Sequence, residues 1–429
     1  MKPVFDTTVP VLVLKMGQYA IHHGTLGIIR SLGGLGVDVY AVVEDRFLPS
    51  AMSRYLRHAF VLDTLGAQDN YLTQLLAIGN QIGRLPILVP TDDYAAAFVA
   101  ENADALQKSF RFPAVAPGLP RKLANKREMI SLCKRIGVPC PAASVPNSVD
   151  DVHAFIEHAR FPVVLKAADA QLLPKGARST SIARDPNELL ELYRLSAAGG
   201  ADLILQEYIP EAAAEDWIYH GYVNPQTGCS IGFTGQKLRS YPAFAGPTTL
   251  GVSIPNAALA RQSERLLKAI EYAGIMDLDY RLDKRDGQYK LLDFNPRIGA
   301  NFRMFENANG VDVVRALHLD LTGRSVPASS EVYGRKFLVE SHDFFGSIAY
   351  VRRGTITLGG WWRSLQGSKE LAWFRWNDPL PAIVLTVRLA LRVLGRALQR
   401  LNPSTRPQQH VHRTDGQETP VTAGSLRNL

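Results

Sequence analysis

Short apolar runs separated by amphipathic stretches mark the first third of the chain. The runs have the length of strands and lie at residues 9–14, 37–43, 59–62 and 86–90. Helical periodicity covers residues 25–35 and 94–108. Strands that alternate with helices at this spacing predict βαβ units and a parallel sheet. We therefore expect residues 1–120 to form a doubly wound α/β domain.

The pattern changes after Pro120. A basic helix is predicted from residue 121 to near Gly137. Further strands are predicted at residues 161–166, 203–210, 219–223 and 230–234. Further helices are predicted at residues 187–198, 256–273 and 311–322. Residues 333–350 and 355–358 also have the composition of strands, so we expect strands there.

Polar and apolar side chains alternate at residues 293–297, directly after an apolar run. Side chains two residues apart on a strand share a face, so Asp293, Asn295 and Arg297 are expected to point together. Asp and Asn oxygens suit Mg²⁺, and an arginine beside them suits a phosphoryl oxygen. The alternative interpretation is a polar strand end at the edge of a sheet.

A second strand of the same hairpin supplies more carboxylates. Asp277 and Asp279 precede the turn at residues 284–287, whose Asp-Gly pair favours a tight hairpin connection. Two strands could therefore each direct a carboxylate at one metal ion.

The loop after the first strand carries no dinucleotide fingerprint. Residues 16–24 lack the G-x-G-x-x-G spacing that binds a pyrophosphate, so nicotinamide or flavin binding is not expected. His22 and His23 follow this strand at the sheet edge where ligands bind, which makes them candidate substrate contacts. Paired loop histidines are, however, more often merely exposed.

Other parts of the chain suit a magnesium-nucleotide. Lys126 and Lys166 are candidate phosphate ligands, and the polar stretch 169–181, which contains Lys175, could cover the phosphates. Residues 206–209 could offer backbone groups to adenine. Taken singly, these features are equally typical of solvated lysines, an ordinary polar loop and a half-buried strand.

In their order along the chain, these features resemble the ATP-grasp superfamily. The resemblance covers residues 9–322 and is most specific at the closing Asp-x-Asn-Pro-Arg stretch, residues 293–297. Residues 237–242 look like the Lys-x-Arg-x-x-Pro stretch of the D-aspartate-ligase-like and carbamoyl-phosphate-synthase-like branch. The stretch 169–181 departs from the family because it lacks a glycine-rich run.

The resemblance implies an α/β fold that is α+β in its ATP-grasp part. The implied regions are an N-terminal parallel-sheet pre-ATP-grasp domain (1–120), a two-lobed ATP-grasp domain (121–325) and a C-terminal extension (326–401). Within the ATP-grasp domain, the small lobe is expected at residues 121–205 and the large lobe at residues 206–325. Residues 402–429 are polar and are predicted to be disordered.

The resemblance also implies ligands for ATP and Mg²⁺. The residues expected to hold one or two Mg²⁺ ions, with Mn²⁺ as an alternative, are Asp279, Asp293 and Asn295. The residues expected to bind the nucleotide are Lys126, Lys166, Lys175, Gln206, Glu207, Ile209 and Asp216. The residues expected to face the transferred phosphate and the anionic intermediate are Lys237, Arg239 and Arg297.

The implied reaction joins a carboxylic acid, such as an amino acid or small acid, to an amine. The carboxylate takes the γ-phosphate of ATP, and the amine then displaces phosphate from the resulting acyl phosphate. Positioning and charge neutralisation drive such chemistry. The substrate carboxylate is expected between the loop near His22 and Arg297. Alternatives are another ATP-grasp outcome, such as a phosphotransferase or carboxylase, and a nucleotide-binding regulatory protein without turnover.

The net charge of +8 is concentrated at the C-terminal end. Residues 326–429 hold 14 Lys/Arg and 7 Asp/Glu, so most of the excess lies there. Within residues 380–401, arginines recur at positions 388, 392, 396 and 400 and form one stripe of a helix. This pattern suits an anionic membrane surface or a lipid-linked substrate. The alternative is a terminal helix packed on the protein with its arginines in water.

The composition argues against several kinds of protein, namely secreted, membrane-spanning and nucleic-acid-binding proteins. The three cysteines have no metal-ligand spacing, and we found neither a signal peptide nor an apolar run of 18 residues. We therefore expect a cytoplasmic enzyme, with membrane association at the inner face as an option. No nucleic-acid-binding module is recognisable, so nucleic acid is not an expected partner. A homodimer is the expected oligomer.

Overall fold

Four parallel strands form the sheet of the N-terminal region. The computed structural model describes residues 2–17, 23–62, 68–167, 180–198, 202–243, 246–367 and 369–401. The strands are β1 (Val11–Leu14), β2 (Val39–Val43), β3 (Leu56–Val61) and β4 (Ile87–Pro90). They lie in the order β3-β2-β1-β4, with all neighbours parallel. The parallel α/β sheet predicted from the pattern is confirmed.

Helices cover this sheet because its central strand is apolar on both faces. They are α1 (His23–Gly33), α2 (Gln68–Ile82), α3 (Asp93–Glu101) and α4 (Ala103–Leu106). Leu12 and Leu14 of β1 are fully buried and belong to one core with Leu75 of α2 and Phe98 of α3. The single helix predicted at residues 94–108 is interrupted at Asn102, whose backbone leaves the helical region (φ −113°, ψ 22°).

The basic helix predicted after residue 121 forms as two short helices. They are α5 (Leu119–Ala124) and α6 (Lys126–Ile136). Asn125 separates them because its side chain accepts hydrogen bonds from Arg127 N and Glu128 N, which caps the start of α6. Gly137 ends α6 with a left-handed backbone (φ 69°). The cap fixes Lys126 as the first residue of α6.

A four-stranded antiparallel sheet follows. Its strands are β5 (Ala143–Ser144), β6 (Val163–Ala167), β7 (Thr180–Ala183) and β8 (Leu203–Glu207), in the order β5-β8-β6-β7. Two helices, α7 (Val149–His158) and α8 (Pro186–Ala197), accompany it. Leu165, Leu189 and Leu205 are buried in one core between this sheet and its helices.

The largest sheet has seven strands. They are β9 (Ala214–Asn224), β10 (Cys229–Ser240), β11 (Thr248–Ser253), β12 (Gly274–Asp283), β13 (Gln288–Asn295), β14 (Lys336–Leu338) and β15 (Lys369–Leu371). Their order is β13-β12-β9-β10-β11-β14-β15, and only the pair β14–β15 is parallel. The helices α9 (Ala257–Ala269) and α10 (Val313–Leu321) complete this region. The sheet therefore crosses the predicted boundary at residue 325, and the division into domains stays a prediction.

The C-terminal extension is mainly helical. Its helices are α11 (Glu340–Arg352), α12 (Leu358–Ser364) and α13 (Leu380–Leu401). The prediction of strands at residues 333–350 and 355–358 is wrong except for the short strand β14. Aromatic and β-branched residues suggested strands, but Asp343, Ser347 and Tyr350 recur at helical spacing and form the buried side of α11. Among the described residues, no helix has the length and apolarity needed to cross a bilayer.

A buried ion pair fixes the extension to the N-terminal region. Arg30 of α1 donates from Nε to Asp378 Oδ2 at 2.9 Å and from Nη2 to the Trp373 carbonyl at 2.8 Å. Ser53 Oγ and Arg54 N also donate to the Asp378 carboxylate. Both charged side chains are at most 1% exposed. Residues 326–385 of the extension are therefore an integral part of the compact unit formed by residues 1–385.

We expect Arg30→Met to lower the free energy of unfolding by about 3–5 kcal/mol, because Asp378 would keep a buried charge without its partner. Urea unfolding followed by tryptophan fluorescence measures the change. Arg84→Met is the matched control, because the Arg84–Asp38 pair is 45% and 35% exposed and should cost less than about 1 kcal/mol. Similar losses in both variants would contradict the assignment.

Candidate active site

The antiparallel pair β12–β13 brings the predicted metal ligands to one face of the large sheet. Asp279 lies directly opposite Asp293, and Asp277 lies opposite Asn295. Directly opposed residues of an antiparallel pair project to the same face, so these side chains lie together. The turn between the strands occupies residues 284–287, where the sequence predicted it.

Lysines compensate the two neighbouring carboxylates. Lys126 Nζ lies 3.3 Å from Asp293 Oδ1, and Lys237 Nζ lies 3.5 Å from Asp279 Oδ1. Burial raises the pKa of Asp279 to about 6, against the opposing charge of Lys237. The site therefore holds paired acids that need cations close to them.

A third lysine reaches the same region from the four-stranded sheet. Burial, and then the charge of Lys126, lower the pKa of Lys166 to about 8, while Asp293 opposes the shift. Lys166 lies on β6, Lys126 starts α6 and Lys237 lies on β10. Three elements that are distant in sequence thus deliver cations around one pair of carboxylates.

Arg297 joins the motif to the N-terminal region. Its Nη2 donates to Asn295 Oδ1 at 3.0 Å, and its Nη1 lies 3.5 Å from Asp277 Oδ2. Its Nε lies 3.4 Å from Oδ1 of Asp93, the first residue of α3. Burial raises the pKa of Asp93, and Arg297 opposes that rise. One guanidinium therefore contacts an acid of the large sheet and an acid of helix α3 in the N-terminal region.

A buried histidine supports this cluster from β9. His220 Nε2 lies 2.6 Å from Asp277 Oδ1, and the His220 ring packs 5.1 Å from that of Phe305. Burial tends to raise the pKa of Asp277, but His220 and Arg297 together lower it. The ionised form of Asp277 is thus favoured, which keeps an anion beside Arg297.

Sequence reasoning missed His220 and Asp93. The signal for Asp93 was its place just after β4, at the carboxyl end of a parallel strand where ligands bind. The signal for His220 was the alternation of Asp216, Ile218 and His220 along β9, which places them on one face.

Asp216 lies on this face but is paired with a neighbour. Arg281 donates to both of its carboxylate oxygens, from Nε at 2.7 Å and from Nη2 at 3.0 Å. Burial tends to lower the pKa of Lys237, but the charges of Asp279 and then Asp216 raise it.

The predicted adenine segment lies at the end of β8. Gln206 pairs with Ala143 on one side and Val164 on the other, so its backbone lies within the sheet. The Glu207 carboxylate accepts a hydrogen bond from Lys290 Nζ at 2.8 Å. Ile209 is buried just beyond the strand.

Arg239 is not brought into the site. Its guanidinium is 3% exposed and donates to both oxygens of Asp343 at 2.8 Å, inside the C-terminal extension. The physical reason is a register shift in the β10–β11 pair between Lys237 and Arg239, which breaks the two-residue alternation. The expectation that both residues face the same phosphate is therefore not met in this structure.

Two predicted contacts, Lys175 and His22, lie outside the described residues. Within the part of the chain that is described, no cluster of three or more His, Cys, Asp or Glu side chains is placed to hold a metal ion. The assignment of Asp279, Asp293 and Asn295 to a metal ion stays a prediction.

Curated proteins with similar sequences include two enzymes. D-Aspartate ligase from Enterococcus faecium (strain Aus0004) is 26% identical over 240 residues, which cover 53% of this chain and 57% of the ligase. Biotin carboxylase 1 from Bacillus subtilis (strain 168) is 22% identical over 326 residues, which cover 71% of this chain and 68% of the carboxylase. The chain thus spans little more than half the length of the ligase. No protein-family profile matches the chain.

Solved structures share the fold. N5-Carboxyaminoimidazole synthetase from Staphylococcus aureus, complexed with ADP, has a TM-score of 0.60 and 12% identity, covering 82% of this chain and 88% of that one. The biotin carboxylase domain dimer of Hydrogenobacter thermophilus 2-oxoglutarate carboxylase, complexed with MgADP, ADP and bicarbonate, has a TM-score of 0.55 and 18% identity, covering 74% and 71%. The chain has the fold of these enzymes, and this is the fold class expected from the sequence. Within it, Lys126 and residues 293–297 lie together.

Gly299 packs directly against His220 and Asp277, where there is no room for a side chain. A Cβ atom at Gly299 would overlap the His220 ring and lie 2.6 Å from Asp277 Oδ2. We expect Gly299→Ala to cost about 1–3 kcal/mol of stability by overpacking, measured by urea unfolding. Gly359→Ala is the matched control, because a Cβ atom there meets nothing within 4 Å. Equal free energies of unfolding for the two variants would contradict this expectation, because His220 and Asp277 could then move aside without cost.

Proposed function

We propose that the protein is an ATP-dependent ligase that activates a carboxylate as an acyl phosphate, joins it to an amine, and releases ADP and phosphate. The observation that carries the proposal is the opposed pair Asp279 and Asp293, with Lys126 and Lys237 within 3.5 Å of them. Similarity to a D-aspartate ligase supports the same reaction class. That match covers only 57% of the ligase, so ligase activity is a proposal for this chain.

The residues present suit magnesium. Asp279, Asp293 and Asn295 supply hard oxygen donors on one face, and such a set leaves coordination positions for phosphate oxygens and water. Bound there, Mg²⁺ or Mn²⁺ would neutralise charge on the phosphates. With the carboxylates engaged by the ion, Lys126 and Lys237 would be available to bind the nucleotide.

ATP is the proposed nucleotide, in line with the ADP complexes of the two structural neighbours. Lys126 and Lys166 would bind the α- and β-phosphates, since both lie beside Asp293. Adenine would lie against the end of β8, near Glu207 and Ile209. Asp216 would contact the ribose after exchanging one oxygen from its pair with Arg281.

The chemistry needs little covalent help from the protein. A carboxylate oxygen of the substrate attacks the γ-phosphorus, and the bond from that phosphorus to the bridging oxygen of ADP breaks. The amine nitrogen then attacks the acyl carbon, and the carbon–oxygen bond to phosphate breaks, with the amine proton passing to solvent. Lys237 and Arg297 would neutralise the charge that develops on the transferred phosphoryl group and the intermediate.

The first loop supports a substrate position between the N-terminal sheet and Arg297. Met16 N and Gly17 N donate to Asp92 Oδ2 at 2.8 and 3.1 Å. Asp92 is followed directly by Asp93, which contacts Arg297. Met16 and Gly17 are therefore anchored next to the acid that contacts the arginine proposed to bind the substrate carboxylate.

A carboxylase outcome is the second candidate, and the similarity to biotin carboxylase 1 favours it. It uses the same phosphate and metal ligands but takes bicarbonate as the acid. The proposed partners are small molecules in both cases. A homodimer and a cytoplasmic location stay predictions.

Amine-dependent ADP formation tests the function. We expect a mixture of amino acids and small acids to stimulate ADP release more than tenfold over ATP alone, and Asp293→Ala to abolish the release by removing a metal ligand. Asp104→Ala, an exposed change in α4, should leave it unaltered. Bicarbonate-dependent release without an amine would instead establish the carboxylase, and ADP release by Asp293→Ala would refute the metal assignment.

We also propose that α13 contacts an anionic membrane or a lipid-linked substrate. Its Arg388 and Arg392 are one turn apart, and Leu391 and Leu394 are each more than half exposed. Exposed apolar residues beside an arginine stripe suit a lipid surface better than a helix packed through its apolar side.

A chain that ends at Leu385 tests this membrane contact, because it lacks most of α13 but retains the ion pair between Arg30 and Asp378. We expect it to sediment less with phosphatidylglycerol vesicles than the full chain does, because four arginines near the surface each contribute about 1 kcal/mol. Phosphatidylcholine vesicles are the control. If the shortened chain sediments with these vesicles as much as the full chain does, α13 does not form the membrane contact.

A further inference from the structure

Five large apolar side chains are exposed together on the two helices that precede β15. They are Phe344, Phe345, Ile348, Leu358 and Trp362, and we refer to them as the aromatic face. Each is between 38% and 70% exposed. Single exposed apolar residues are ordinary on a protein surface, but a contiguous group marks an interaction site.

The rings of the aromatic face are contiguous. The Phe344 ring lies 5.6 Å from that of Phe345 and 6.2 Å from that of Trp361. Trp361 in turn lies 6.4 Å from Trp362. Ile348 follows Phe344 by one helical turn, and Leu358 precedes Trp362 by one turn. The five side chains therefore form one patch that bridges α11 and α12.

The patch is held rigidly from below. On the opposite side of α11, the Asp343 carboxylate accepts from Arg239 at 2.8 Å and from Trp361 Nε1 at 3.2 Å. Ser240 N donates to Tyr350 Oη at 3.1 Å. These buried bonds fix both helices on the large sheet, so the aromatic face is a preformed surface.

The charged side chains of the segment that carries the patch are all positive. Residues 344–367 contain Arg352, Arg353 and Arg363 and no acidic residue. All three arginines are exposed, although Arg353 also lies 3.9 Å from Glu211. Arg352 and Arg363 therefore border an apolar, aromatic centre with positive charge.

We propose that the aromatic face docks the protein on a bilayer that contains anionic phospholipids. Phenylalanine and tryptophan side chains favour the boundary between headgroups and acyl chains. Arginines at the same level gain from the negative surface potential. An anionic bilayer supplies both an apolar interior and a negative rim, which is the complement of this patch. The face lies on α11 and α12 and is independent of α13 and of the ligase proposal.

A second copy of this chain fits the patch less well. Closed pairing of identical surfaces would bring each arginine rim against its own copy. Like charges opposed across an interface are unfavourable, and the aromatic face has no acids to offset them.

Vesicle sedimentation of the full-length protein tests the proposal. Wild type should bind vesicles of phosphatidylglycerol and phosphatidylcholine and bind pure phosphatidylcholine weakly. The double variant Phe344→Ser/Trp362→Ser should lower the partition coefficient by about tenfold or more, because two large apolar side chains no longer insert. Phe47→Ser is the matched control, since Phe47 is 71% exposed in the N-terminal region and should leave binding unchanged.

A second variant separates docking from folding. Arg352→Gln/Arg363→Gln leaves the apolar packing intact and should weaken binding only to the anionic vesicles, with an effect that fades at high salt. Undiminished binding of both variants would overturn the proposal. A second result would also overturn the proposal. In it, the wild-type protein does not bind vesicles but self-associates in sedimentation velocity, and Phe344→Ser/Trp362→Ser abolishes the association. The aromatic face would then join two copies of the chain.

Discussion

The candidate site depends on two carboxylates held opposite each other in an antiparallel ladder. Asp279 and Asp293 share one face of β12–β13, and like charges at such a distance destabilise the sheet unless cations offset them. Lys126 and Lys237 supply that offset, and burial, followed by the charge of Lys126, lowers the pKa of the third cation, Lys166. The two lysine–carboxylate pairs therefore balance the charge of this ladder position.

Ion pairs also hold the N-terminal region, the large sheet and the C-terminal extension together. Arg297 closes the motif and also contacts Asp93 of the N-terminal region, so that region contributes directly to the site. On another surface, Arg30 and Asp378 bury a charge pair that fixes the extension. Buried ion pairs strongly favour one arrangement of the regions, because separating the partners would leave an unpaired charge buried away from water. The relative placement of the sheets is therefore specified by a few pairs as well as by apolar packing.

Local chemistry was predictable from the sequence, whereas long-range pairing was not. The alternation at residues 293–297 and the turn at residues 284–287 are properties of neighbouring residues, and both appear as expected. Asp93 and Arg297 are separated by two hundred residues, and only the assembled fold brings them together. Arg239 shows the limit of periodicity, since one register shift in the ladder turns it away from Lys237. In the extension, strand-forming side chains lie on a helix because the buried positions follow a helical spacing.

The register shift in β10 also connects the site with the extension. Lys237 faces Asp279 in the site, and Arg239, only two residues later, faces Asp343 on α11. With a regular ladder, both cations would point to one side, and α11 would lose the ion pair that holds it. The neighbours of Asp343 on the outer side of α11 are Phe344 and Phe345 of the aromatic face. A surface bound at that face would therefore be linked through one strand and one ion pair to the acids Asp279 and Asp293.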